Sequence, residues 1–301
     1  MAEKNVKLLT QYNMKKTIIS AVVAISILTS CEKEIEIDMP AFTPSVVVEG
    51  FIVNDMAPVV ILTNNVEYVA QAGKDLYEQS FIHNAVITIE VPGNVTDTLT
   101  EITQTNTKTG LKSSFYTSSK TKGEVGKNYT LKVAAGGKTY SAIATIPEPV
   151  KIQEIWYENH PDAANDSFKT VWIKILDPEV TNYYRYTSEV NGQHGFQPEI
   201  STVSDKGFNG KEYQKAVDSG LKNEEQDMHG GVSGYYVIGD TVTVKWANAE
   251  KSYYNAWATI DFKRSQNQNP FMNPTRIVGN IKGCLGYWSG LGVDVKSIVL
   301  K

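Results

Sequence analysis

Cys31 is the residue whose neighbours define its chemistry most sharply. It follows Leu28-Thr29-Ser30, which closes an uncharged apolar run over residues 17–28, and that run follows the cations Lys15 and Lys16. A cationic start, about a dozen apolar residues and small residues before a cysteine make an export signal of the lipoprotein type. The run is shorter than the roughly 20 residues that span a bilayer as a helix. The expected chemistry is a thioether between the Cys31 sulfur and a diacylglycerol, then cleavage before Cys31, with Leu28, Thr29 and Ser30 as the peptidase recognition residues. Residues 1–30 are then a signal peptide, with Met14 the expected initiator and Cys31 the first mature residue. At about 0.8 kcal/mol per buried methylene, two or three acyl chains hold a protein on a membrane durably, where one does not. The competing reading is an ordinary secretory signal in which Cys31 is incidental, or a short membrane anchor that is kept.

The remaining reactive groups are scattered. His83, His160, His194 and His229 lie far apart and fall in no HExxH pair, nucleophile elbow or phosphate loop. His194 and His229 share one irregular stretch, 191–234, yet solvated loop histidines are the plainer reading there. The acidic pieces 162–166 and 205–212 carry oxygen donors without the spacing of a calcium loop. Glycine-rich 230–234 follows no strong strand and opens no helix, which argues against a phosphate cradle. No pair of carboxylates stands out for glycoside hydrolysis. The chain is therefore expected to be no enzyme and to need no cofactor or metal.

Charge and cysteine count narrow the classes further. The chain has 29 basic and 33 acidic side chains; without residues 1–30, which hold Glu3, Lys4, Lys7, Lys15 and Lys16, it keeps 25 against 32. An acidic surface offers no stripe of cations to neutralise phosphates, so nucleic acid is an unsuitable partner. Once Cys31 is lipidated, Cys284 is the remaining cysteine, leaving no intramolecular disulfide and no thiolate zinc site. About 270 mature residues must be stabilised by ordinary cores, and that length suits two domains.

The elements that would carry such a protein read as mainly β. Residues 31–45 form a lipidated cysteine and an acidic tether with Glu32, Glu34, Glu36, Asp38, Pro40 and Pro44. Residues 46–149 show β-rich runs at 46–53, 59–63, 85–91, 98–103, 113–118, 129–134 and 139–146, which predict an immunoglobulin-like or transthyretin-like β-sandwich without a helix. Gly136-Gly137 should turn the last two into a hairpin with Tyr129, Leu131 and Val133 on its buried face. Pro147-Glu148-Pro149 predicts a domain boundary. A second β-rich domain, 150–301, should hold strands at 152–157, 170–176, 183–190, 235–246 and 293–300. It should also contain a short helix at 211–217 and one amphipathic helix near 250–265, with Tyr253, Trp257 and Ile260 on its core face. In the glycine-rich tail, Phe271, Ile281, Leu285 and Trp288 are expected to plug a core from a loop.

The order of several words is specific. The lipobox, Val46-Val47-Val48-Glu49-Gly50, the stretch 123–131, Asp177-Pro178, Tyr183-Tyr184-Arg185-Tyr186 and the tail 269–290 together resemble an uncharacterised family of Bacteroidota outer-membrane lipoproteins, known as a domain of unknown function and commonly encoded beside TonB-dependent receptors. The resemblance implies a protein lipid-anchored in the outer membrane and facing the exterior, with a possible TonB-dependent receptor as partner. It carries no catalytic residues, and Cys284 stands where a small residue is expected. The acidic residues after Cys31 resemble a surface-export signal, with a periplasm-facing linker as the alternative. Asp97-Thr98-Leu99 and Asp240-Thr241-Val242 resemble an O-glycosylation acceptor of that phylum, making Thr98 and Thr241 candidate modification sites, although both also fit as plain strand residues.

Three functions follow as expectations. The first is a non-enzymatic accessory or substrate-capture subunit of a TonB-dependent transporter. The second is a glycan- or peptide-binding adhesin acting alone, stacking ligands on Tyr183, Tyr184, Tyr235, Tyr236 or Trp288. The third is an unrecognised hydrolase, which would need His194 or His229 in a pocket with two carboxylates.

Overall fold

Alternation of apolar and polar side chains sets the strands, as it must when one face of a sheet is buried. The structure is a computed structural model, and it describes residues 45–65, 73–93, 95–107, 109–161, 166–194, 198, 200–220, 234–265 and 279–301. Strands β1 (Val46–Val53) and β2 (Val59–Asn64) precede helix α1 (Lys74–Ser80). There follow β3 (Val86–Val91), β4 (Val95–Thr98), β5 (Thr100–Thr105), β6 (Lys112–Thr117), β7 (Asn128–Ala135) and β8 (Lys138–Thr145). Next come β9 (Ile152–Asn159), β10 (Phe168–Leu176), β11 (Tyr183–Val190), β12 (Gln193–His194), β13 (Thr202–Ser204), β14 (Glu212–Val217) and β15 (Tyr236–Val237). Strand β16 (Thr241–Ala249), helix α2 (Lys251–Ser265) and β17 (Leu285–Val299) complete the fold. The chain is mainly β, with one long helix where helical spacing predicts it.

The strands build three sheets. A nine-stranded sheet runs β12-β11-β16-β17-β1-β2-β6-β5, with β13 also on β11. One four-stranded sheet runs β4-β3-β7-β8; the other centres on β10, flanked by β9 on one side and by β14 and β15 on the other. The β7–β8 hairpin turns at Gly136-Gly137 in the expected register, pairing Ala135 with Lys138 and burying Tyr129, Leu131, Val133, Tyr140, Ala142 and Ala144.

Each small sheet covers part of one face of the large one. Val48, Ile52, Val60, Leu62, Ile87, Ile89, Leu131 and Trp288 share a first core, and Val171, Ile173, Tyr184, Tyr186, Val244 and Trp246 a second. Alternation sends neighbouring residues to the opposite face, where Val53, Ala249, Tyr287 and Leu291 pack against Tyr253 and Ala256 of α2. That helix is pinned by polar side chains as well. Buried Asp261 accepts from the Ser201 and Thr202 N–H groups at 2.9 and 3.0 Å. The Arg185 guanidinium lies 3.5 Å from the Trp257 ring centre and donates to the Tyr253 hydroxyl at 3.0 Å. Losing the Asp261 carboxylate would strand several buried donors, each costing about 1–3 kcal/mol.

The chain passes from the first core to the second at Pro147-Glu148-Pro149, where the sequence predicts a boundary, but the large sheet runs beneath both cores and residues Pro44–Lys301 form one compact unit. The crossing segment lies directly on β17. A Cβ on Gly290 would stand 2.1 Å from the Thr145 carbonyl oxygen, and one on Gly292 2.1 Å from that of Pro147. Glu250 bridges the crossing, accepting from the Thr145 and Gly290 N–H groups at 3.2 and 3.3 Å, while Asn248 donates to the Glu148 carbonyl at 2.9 Å. Burial pushes the Glu250 carboxyl up, against the pull of those donors.

Three local expectations change. Residues 212–217 form strand β14, not a helix, because Tyr213 and Val217 pack inward while Glu212 and Gln214 are exposed, a period of two. Helix α1 arises where none was expected, and it buries none of its residues. The run at 98–103 divides at Leu99, whose N–H donates to the Ile87 carbonyl, so that β4 joins a small sheet and β5 the large one. Trp288 does seal a core, but from within β17.

Because backbone occupies the space beside Gly290, Gly290→Ala should lower stability by about 3 kcal/mol or prevent folding. Denaturant midpoints of the variant and the wild type measure it.

Candidate ligand-binding site

The site begins with a short strap between α1 and β3. Phe81 bridges to Thr63, the Ile82 N–H donates to the Leu62 carbonyl at 2.9 Å, and Asn84 turns the chain at a φ of 57°, in the left-handed region that asparagine tolerates. This places His83, which is exposed, beside the paired strands β5 and β6. Glu101 of β5 gathers the strap. Its carboxylate pairs with His83 Nδ1 at 2.5 Å and accepts from the Asn84 N–H at 2.9 Å, the Ser114 hydroxyl at 2.9 Å and the Tyr116 hydroxyl at 3.2 Å. Burial would raise this carboxyl, but the Asn84 N–H, His83 and Ser114 outweigh it and bring the pKa down to about 2.

A concavity of about 370 Å³ opens beside this cluster, lined by Glu78, Gln79, Phe81, His83, Thr103, Lys112, Ser113 and Ser114. Tyr77 packs against two of the lining residues, edge-on to Phe81 with centroids 5.2 Å apart and with its hydroxyl 2.8 Å from Ser113 Oγ. With Nδ1 turned to the carboxylate, a neutral His83 ring leaves Nε2 as an acceptor, which is half of a catalytic triad. The hydroxyls that could complete it are engaged elsewhere: Ser114 with Glu101 and Thr103, Ser113 with Tyr77. The arrangement offers hydrogen-bonding groups beside an aromatic pair, the make-up of a ligand-binding site.

The residues singled out in the sequence fare differently. Leu28, Thr29, Ser30, Cys31, His229 and Phe271 lie outside the described residues. Thr98 and Thr241 are both exposed, on β4 and at the start of β16. The backbone of His194 pairs with Glu189, and Cys284 is a half-buried thiol that burial pushes up to about 11. Tyr184, Tyr235, Tyr236 and Trp288 are buried, and Tyr183 is half-buried with its ring 5.0 Å from that of Tyr254, so these aromatics do not form an open stacking surface. Among the described residues, no three His, Cys, Asp or Glu side chains are grouped to hold a metal.

A family model described as Domain of unknown function (DUF4249) matches residues 32–297. The chain belongs to the DUF4249 family. No curated protein matches it. In this DUF4249 chain the His83–Glu101 pair is the feature that sequence reading missed. The two residues are 18 positions apart on a strap and a strand, and no short motif joins them.

Glu101 is an acid whose folded pKa is depressed, so its contribution to stability is complete above about pH 4.5 and is lost as pH falls towards 2. Glu101→Gln should therefore be less stable than the wild type at pH 7, and the gap should narrow between pH 4.5 and 2.5. Urea unfolding at a series of pH values measures it.

Proposed function

We propose that this DUF4249 protein is a lipid-anchored, non-enzymatic protein of the outer-membrane surface, serving as an accessory or substrate-capture subunit of a TonB-dependent transporter. The observation that carries the reading is the lipobox ending at Cys31, followed at once by the family match beginning at residue 32. That coincidence fits a mature protein consisting of an acylated cysteine, an acidic tether and one family domain. The concavity beside His83 and Glu101 is then a capture site, and its hydroxyls and aromatic edge suit a small polar ligand. The glycan or peptide adhesin reading loses the aromatic surface first assigned to it, because four of those five side chains are buried. For a hydrolase, the committed hydroxyls around His83 supply no free nucleophile. The exposure of Thr98 and Thr241 meets the first requirement for O-glycosylation.

Detergent-phase partition and intact mass test the anchor. The native protein should enter the detergent phase with the mass of a diacylglyceryl-modified chain beginning at Cys31, and Cys31→Ala should stay in the aqueous phase. Mild extraction should then bring a TonB-dependent receptor down with the native protein; isolation of the protein by itself would count against the transporter.

A further inference from the structure

Strands β9 and β10 each present one face to the second core and one outward. Ile155, Tyr157, Val171, Ile173 and Ile175 point inward. The alternate positions, Glu154, Trp156 and Glu158 on β9 and Thr170, Trp172 and Lys174 on β10, therefore point outward. Two tryptophans at positions that are otherwise polar need a reason. They face each other directly across the strand pair, with ring centroids 6.2 Å apart and planes only 14° from parallel. Both residues are half-buried, and among the described residues neither ring touches a third aromatic ring.

The surroundings of the pair define what it can hold. Trp156 Nε1 donates to Glu158 Oε1 at 3.1 Å, while Trp172 Nε1 has no hydrogen-bond partner among the described residues. In the next row, Lys174 forms an ion pair with Glu154 and stands opposite Gln214 of β14. The result is a mutually stacked pair of indoles, half-buried, rimmed by carboxylates, an ammonium and an amide. Two half-buried rings offer on the order of 100–200 Å², far below the roughly 800 Å² per partner of a stable protein interface. Two carboxylates against one ammonium repel a phosphate backbone, which removes single-stranded nucleic acid as the stacking partner.

We propose that Trp156 and Trp172 form a stacking platform for the sugar rings of a neutral glycan. The C–H groups on one face of a pyranose carry partial positive charge and lie against the negative π-face of an indole. The hydroxyls at the ring edge then meet Glu158, Lys174, Gln214 and the open Trp172 N–H. Against capture by a transporter complex, this names the ligand class; the binding itself needs neither the receptor nor the His83 concavity.

The test uses the full chain in detergent, run through native gels cast with starch, dextran, mixed-linkage β-glucan, xylan or galactomannan, with heparin and a polymer-free gel beside them. At least one neutral polymer should retard the wild type, and its oligosaccharide should shift the tryptophan fluorescence. Trp172→Ala and Trp156→Ala should weaken that binding at least tenfold, Trp172→Phe should keep part of it, and Met56→Ala, at an exposed residue that lines neither site, should bind as the wild type does. Circular dichroism checks that each variant folds; should an alanine variant not fold, Trp172→Phe and protection of wild-type tryptophans from acrylamide by the oligosaccharide decide the matter. The proposal is overturned if no neutral polymer retards the wild type, if heparin alone does, if the tryptophan variants bind unchanged, or if sedimentation shows that the tryptophans instead hold two copies together. Failure to co-purify a receptor would leave it standing, while retained receptor with no glycan retardation would remove it alone.

Discussion

The parallel pairing of β1 with β17 is the constraint on which the fold depends. Seven register pairs join Val47–Val53 to Leu285–Leu291, and the side chain of Asn54 extends the joint by accepting from the Val293 N–H at 2.7 Å across 239 positions of sequence. Without that joint the large sheet would fall into two smaller ones, each with an exposed edge that must be covered or paired. With it, one sheet supports both sandwich cores on one face and α2 on the other. Gly290 and Gly292 of β17 belong to the same arrangement, since the chain crossing between the cores passes where their side chains would stand.

The strands themselves were legible because their cause is local. Alternation in β7 and β8, with Gly136-Gly137 between them, fixes both a hairpin and its register. What decides sheet membership is not local. Nothing in 46–53 says that its partner lies at 285–291, or that β4 and β5, separated by one residue, enter different sheets. The tail looked like a loop because its glycines suit turns; in β17 they instead admit neighbouring backbone. Residues 211–217 misled for a related reason: good helix formers there follow a strand's period when β10 is available beside them.

The proposed lipidation rests on contiguous residues around Cys31 and so could be put forward from sequence, whereas groupings that depend on parity or distance were hidden. Tyr184 and Tyr236 could be nominated as ligand platforms by type, but their positions put them in the second core. Trp156 and Trp172 carried the opposite signal, being apolar residues in phase with Glu154, Glu158, Thr170 and Lys174. That phase can be read from two strands whose order is known. The His83–Glu101 pair could not be read in the same way, because His83 comes to β5 from a turn, which has no period.

The central place of β17 also bears on how the polypeptide is made. A ribosome delivers this strand after every other described element, so a growing chain has both flanking strands, β1 and β16, waiting without their shared neighbour. A product that stops short of residue 285 is therefore not a smaller version of the protein but two unfinished sheet margins, and quality-control proteases would meet it as such.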